Sequence, residues 1–329
     1  MEFWYKKYNI LSLILLPFSI LFRLVTFIRR FLYKAHFIKS FKSQTPIVIV
    51  GNISIGGSGK TPMIITLSKL LEDRGLRVGV ISKGYKSNLK YPTLLNSTHS
   101  SFDVGDEPYL IYKSLNIPVA IAKDRFEAVK LLEPLKLDLI LSDDGLQHYK
   151  LSRSYELIMI DSIKGLGNKR TLPAGPLREG VWRLQTANNY VLKGNKNLKD
   201  LQSPYRLSYK IKNFINPSSK LKVQSSYFIN KKIIAIAGIA NPTDFFNLLK
   251  KSGLEIMECK NILDHKRLSK NELISLGLNK TLIMTEKDAV KYLDIWQDNW
   301  FYTTLKTDLS SSQDLITHIL TTLKIDYEK

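Results

Sequence analysis

The sequence predicts an α/β protein with a mostly parallel sheet, and three observations carry that prediction. From residue 46 onward short β-branched runs alternate with stretches of helical spacing, a glycine-rich loop joins the first run to the first stretch, and a pair of carboxylates closes a later run. Strand and helix in alternation bury a sheet between layers of helices. The 329 residues suggest about two domains at ~100–200 residues each. With 44% hydrophobic residues a mainly disordered chain is excluded. The single cysteine, Cys259, excludes an internal disulfide framework and a Cys-based metal cluster, and a reducing cytoplasm is the natural setting.

The first element is a helix over residues 8–30. Tyr8 to Phe22 is uncharged, followed by Arg23, a short apolar stretch and the pair Arg29 and Arg30. A free-standing transmembrane helix needs ~20 predominantly apolar residues, and Pro17 and Arg23 interrupt the stretch, so it is a marginal span. No small-x-small cleavage site follows it, which argues against a signal peptide. The expectation is a helix lying in or dipping into a bilayer surface, with Lys6, Lys7, Arg23, Arg29 and Arg30 toward anionic headgroups. The alternative is an amphipathic helix packed by its apolar stripe on the protein's own core.

PIVIV (46–50), RVGVIS (77–82), PVAIA (118–122), DLILS (138–142) and YELIMI (155–160) read as buried strands, with helices at 60–74, 106–115 and 124–135 between them. YRLSYKIKNF (205–214) alternates and is Lys-rich, as an exposed strand or ribbon would be. KIIAIAGI (232–239), a helix from about Pro242, TLIMTEKD (281–288) and WFYTTL (300–305) repeat the α/β theme. The expected division is an amino-terminal helix over 1–36, a main domain over 37–215 and a smaller α/β domain over 216–329.

The formal charge of +20 is concentrated: residues 1–45 hold eight Lys/Arg against one acid, and residues 190–232 hold ten against one. A pI near 9.7 suggests nucleic acid, but no recognition helix, zinc spacing or RNA-binding signature accompanies it. The first basic segment is also the most hydrophobic, which points to a membrane surface.

The run PIVIV leads into GNISIGGSGKTP and then a helix, the context in which backbone N–H groups converge on phosphate oxygens. Ser54, Ile55, Gly56, Gly57, Ser58, Gly59, Lys60 and Thr61 are the candidate cradle. Lys60 supplies a point charge to the β/γ-phosphates and the Thr61 hydroxyl a ligand for Mg²⁺. The strict pattern would place Gly at position 54, where this chain has Ser54. The fold class is then a P-loop NTPase-like parallel sheet with helices on both faces.

Asp143 and Asp144 end the run DLILS, at the carboxyl edge where a doubly wound sheet binds its ligands, and can face the Mg²⁺ of a nucleotide. Asp106 and Glu107 open a helix, and taken alone are ordinary first-turn acids. The sequence Asp264-His265-Lys266 supplies one of five histidines, and spacing assigns it no role.

GNISIGGSGKTP, GDEP, LSDDGLQH, LPAGPLRE (172–179), AGIANPTDFF (237–246), DHK and TEKDAVK (285–291), in this order and over nearly the whole chain, resemble the tetraacyldisaccharide 4'-kinase family. Ser54 in place of the first glycine is what that family looks like. The resemblance implies transfer of the ATP γ-phosphate, with Mg²⁺, to the 4'-hydroxyl of an acylated glucosamine disaccharide 1-phosphate. It implies a monomer at the cytoplasmic face of a Gram-negative inner membrane, among its lipids and without nucleic acid. It further implies that the two domains are joined by a β-ribbon and close over the nucleotide. Asp106 becomes the base, paired with His265, while Glu107, Asp143 and Asp144 serve Mg²⁺ and the nucleophile, and Arg178 is a cation near the transferring phosphate. The competing reading is a membrane-associated P-loop switch ATPase. Those loops carry Lys where this chain has Ile55, and place the membrane helix at the other terminus.

Overall fold

Ile47, Val48, Ile49 and Val50 are buried on both faces, as β-branched residues in the middle of a parallel sheet must be. In the computed structural model, which describes residues 2–6, 9–85, 87–89, 92–263 and 267–326, they begin a sheet of thirteen strands. In chain order these are β1 (Ile47–Gly51), β2 (Val78–Ser82), β3 (Thr93–Leu94), β4 (Val119–Ile121), β5 (Leu139–Asp143), β6 (Tyr155–Asp161) and β7 (Asn189–Lys193). They continue as β8 (Arg206–Asn216), β9 (Leu221–Val223), β10 (Ile233–Ala237), β11 (Ile256–Asn261), β12 (Thr281–Thr285) and β13 (Trp300–Leu309).

Across the sheet the order is β11-β10-β12-β13-β8-β7-β6-β1-β5-β2-β4-β3, with β9 paired to β8. Pairing is parallel except at the β3/β4 edge, the β8/β9 hairpin and the long β8/β13 pair. In that last pair Tyr302 faces Ile215 at one end and Leu309 faces Leu207 at the other. The Lys-rich ribbon is therefore β8 with β13, and it carries the hydrogen bonding from one α/β half to the other.

Alternate residues of β1 enter opposite cores. Val48 and Val50 pack with Met63, Ile64 and Leu67 of the helix Lys60–Glu72. Ile47 and Ile49 pack with Val129 and Leu132 of the helix Arg125–Leu132. Helices thus cover both faces, as the sequence predicts. Beyond the ribbon, Phe214, Ala235, Phe245 and Leu249 form one core and Ile234, Ile236, Leu273 and Trp300 another. The final helix, Ser312–Leu323, returns to the first half, where Leu315, Ile316 and Ile319 join the core of β1 and β6. The sequence reading omits β3, β7, β9 and β11; all are short, β7 and β11 carry polar residues, and β11 is mostly exposed.

The amino-terminal helices run Ile10–Ile14 and Leu16–Lys34, with Pro17 in the first turn of the second. Among the described residues no helix is long and apolar enough to cross a membrane. Nor does the apolar stripe pack on the core. Ser12 and Ser19 are 2% and 3% exposed, whereas Ile10 and Phe18 are 77% and 62% exposed. The two serines face the protein, while much of the apolar surface faces outward together with Arg23 and Arg29.

Candidate active site

The loop after β1 reaches the helix Lys60–Glu72 through Gly59, whose φ of +83° is left-handed and favours glycine. Gly57 is needed for proximity, because a Cβ there would lie 2.9 Å from that of Ala240 in the second half. The loop and the segment before the helix Pro242–Lys251 are therefore in near contact. Between them and the ribbon lies a cavity of about 1290 Å³. Its walls include the loop from Ile55 to Thr61, Asp143, Asp144 and Arg178 from the first half, and Asn241, Glu286 and Thr303 from the second. Ser54 lies outside that wall and instead bridges to Leu177.

Lys60 is the first residue of its helix, and its Nζ stands 3.6 Å from Asp144 Oδ1. Arg178 Nη1 lies 3.3 Å from both Asp144 oxygens and from Gln147 Oε1. Burial would raise the Asp144 carboxyl, but the positive charges of Lys60, Arg178 and Arg125 outweigh it and hold the group below its ordinary value. Its neighbour behaves oppositely. Asp143 is pushed up to about 7, first by burial and then by the negative charge of Glu107. Asp143 Oδ1 is buried without a hydrogen-bond partner among the described residues. Behind both, the buried Arg125 donates from Nη2 to the carbonyls of Asp143 (2.9 Å) and Asp144 (2.7 Å), bracing the turn.

Glu107 lines the cavity and accepts from Lys287 Nζ at 2.9 Å. Asp106 is buried just behind, with Arg267 Nη2 and Lys291 Nζ each 3.9 Å from its carboxylate. Lys291 in turn donates to Asp288 at 2.7 Å, and Asp288 accepts the Gly238 N–H at 2.8 Å. Asp106, the first residue of the helix Asp106–Ser114, is thus faced by two cations of the second half. His265 lies outside the described residues.

Among the described residues no three His, Cys, Asp or Glu side chains converge as a metal cage. The donors present do fit Mg²⁺, which keeps waters and phosphate oxygens and takes only one or two protein carboxylates. Thr61 sits in the first turn of the loop's helix, and Asp143, with one unpartnered oxygen, is raised in pKa by burial and then by Glu107, an arrangement that a divalent cation relieves.

Sequence reasoning misses Arg125, Lys193, Glu286 and Lys287. Arg125 opens a helix, where a basic residue reads as exposed, and its burial follows only from the fold. Lys193 stands in the basic segment and reads as solvated, yet it is largely buried and pairs with Asp161 (3.0 Å) and Asp244 (2.8 Å). Glu286 and Lys287 belong to the TEKDAVK stretch, whose motif is the signal that could have found them.

The LpxK family model, described as tetraacyldisaccharide-1-P 4'-kinase, matches residues 11–324. The chain is 40% identical over 316 residues to the tetraacyldisaccharide 4'-kinase of Actinobacillus succinogenes, covering 95% of each. It is 40% identical over 316 residues to that of Haemophilus influenzae, covering 95% of this chain and 93% of the other. Among solved structures, an "apo" form of LpxK from Aquifex aeolicus, described as in complex with ATP, is 29% identical. It matches with a TM-score of 0.80 over 95% of this chain and 100% of that one.

Proposed function

The chain belongs to the tetraacyldisaccharide-1-P 4'-kinase family, and on that premise we propose how its residues transfer the ATP γ-phosphoryl group to the 4'-hydroxyl of a tetraacylated glucosamine disaccharide 1-phosphate, a step of lipid A biosynthesis. The observation that carries the reading is the phosphate loop, with Lys60 and Asp144 3.6 Å apart in a cavity walled by both halves of the sheet. ATP lies with its phosphates on the N–H groups of residues 55–61, and Lys60 neutralises the β/γ oxygens.

The acceptor oxygen attacks the γ-phosphorus, its proton passes to the Asp106 carboxylate, and the bond to the β-phosphate oxygen breaks to release ADP. His265 is assigned to support Asp106 by the family motif. Arg178, detached from Asp144, places its charge beside the transferring group, which carries dispersed negative charge. Thr61 and Asp143, with Glu107 and Asp144 nearby, would hold a Mg²⁺ that screens the phosphate charge when bound. Positioning two reactants and excluding water supply most of the rate. The loops around Ala240 and Asn241 belong to a smaller α/β unit within residues 216–329 that closes on the main one, 37–215, while the helix Ser312–Leu323 stays packed on the core of β1 and β6.

The substrate stays in a bilayer, so the protein meets it there. The outward apolar face of the helices over residues 10–34, with Arg23 and Arg29 alongside, rests on the cytoplasmic surface of the inner membrane as a peripheral anchor. One chain contributes every residue named, so a monomer suffices. The test is formation of a 1,4'-bisphosphorylated product from ATP and the acylated disaccharide 1-phosphate. ATP turnover independent of that lipid would instead favour a switch ATPase.

A further inference from the structure

Ser12 and Ser19 are seven residues apart, two helical turns, and so share one face of the amino-terminal segment. That face is turned inward against the loop formed by residues 168–178, although the segment is otherwise apolar. Ser12 Oγ donates to the Ala174 carbonyl at 2.6 Å. Ser19 Oγ donates to the Thr171 carbonyl at 2.8 Å, and Thr171 Oγ1 donates back to the Ser19 carbonyl at 2.9 Å. Buried hydroxyls satisfied this way fix geometry, because a buried hydroxyl without its partner is costly.

The other side of the same loop touches the start of the phosphate loop, just after β1. The Ile55 N–H donates to the Pro176 carbonyl at 2.8 Å, and the Arg178 N–H donates to the Ile53 carbonyl at 2.6 Å. The loop is therefore clamped between the outward-facing helices and the leading edge of the phosphate loop, and its last residue is Arg178. We propose that Ser12, Ser19 and Thr171 are positioning residues: the amino-terminal helices, beyond resting on a lipid surface, hold the loop that sets the place of Arg178. This rests on the role given above to Arg178.

The test is a double-mutant cycle on the full chain, with the acylated disaccharide 1-phosphate dispersed in detergent so that membrane recruitment is irrelevant. Thr171→Val should lower kcat about tenfold with little change in KM for the lipid, and Thr171→Ser should restore it. In an Arg178→Lys background the same Thr171→Val change should cost less than about twofold, because the residue it positions is already gone. Vesicle flotation should be unchanged. Equal costs in both backgrounds, or an unaltered kcat for Thr171→Val, would overturn the proposal. A wild-type rate for Arg178→Lys alone would overturn the role of Arg178 and leave the cost of Thr171→Val to be read separately. If Thr171→Val does not fold, Ser19→Ala runs the same cycle.

Discussion

Lys193 Nζ at the end of β7 lies 2.8 Å from Asp244 Oδ2 in the first turn of the helix Pro242–Lys251, so one buried ammonium ties the phosphate-loop half of the sheet to the other. Its stem also covers the loop, since a Cβ on Gly59 would lie 3.2 Å from Lys193 Cδ. Asp161, 3.0 Å away, completes the cluster. Lys193→Met leaves the buried Asp161 and the half-buried Asp244 without their cation. It should destabilise the protein by about 3 kcal/mol and raise the KM for ATP, as thermal melts and initial rates would register. Wild-type values for both would remove Lys193 from the junction.

Glu286 gives a pH prediction. Burial in the cavity wall pushes its carboxyl up to about 7 from 4.5, with Lys69 opposing. Between those values the folded protein holds a proton that the unfolded chain has lost. The contribution is therefore fully present below the unfolded value and lost as pH rises through the folded one. The melting temperature of nucleotide-free wild type should fall between about pH 4.5 and pH 8, and Glu286→Gln should flatten that fall. Parallel profiles for the two proteins would refute the assignment.

Lys60→Ala removes the charge at the β/γ-phosphates and should cut kcat by about 10²–10³, with Asp144 then released from its partner at 3.6 Å. Rapid-quench measurement of product formation reads the chemical step directly.

Asp106→Asn keeps the shape beside Arg267 and Lys291 but cannot take a proton. A fall in kcat of about 10²–10⁴ with little change in KM for ATP is expected of a lost base. Near-normal rates at saturating substrates would give the proton another acceptor.

Replacing the exposed Phe18, Leu21 and Phe27 by Ser should abolish vesicle flotation while rates on detergent-dispersed lipid stay within about twofold, because these side chains are exposed and do not line the cavity. Retained flotation would move the lipid contact elsewhere.

Much of this was legible in the residues themselves. The β-branched runs become β1, β2, β4, β5 and β6 within a residue or two, and GGSGKT opens the helix Lys60–Glu72 as its spacing requires. Pattern could not show that the amino-terminal helix is inside out, because periodicity locates an apolar face without saying what it meets. Nor could composition tell Lys193, buried between two carboxylates, from its solvated neighbours in the same basic segment. Asp143 and Asp144 are adjacent in sequence yet shifted in opposite directions, since the fold buries Asp143 beside Glu107 and sets Lys60, Arg178 and Arg125 against Asp144 strongly enough to outweigh its burial. The return of the helix Ser312–Leu323 to the first core is a topological fact with no local signal.

The account is tested most directly by incubating the purified full chain with γ-labelled ATP and a tetraacylated disaccharide 1-phosphate, and resolving the lipid products. It predicts label on the 4'-oxygen of a bisphosphorylated lipid, formed with equimolar ADP and abolished in Lys60→Ala. ADP formed at the same rate without the lipid, with no labelled disaccharide, would contradict it.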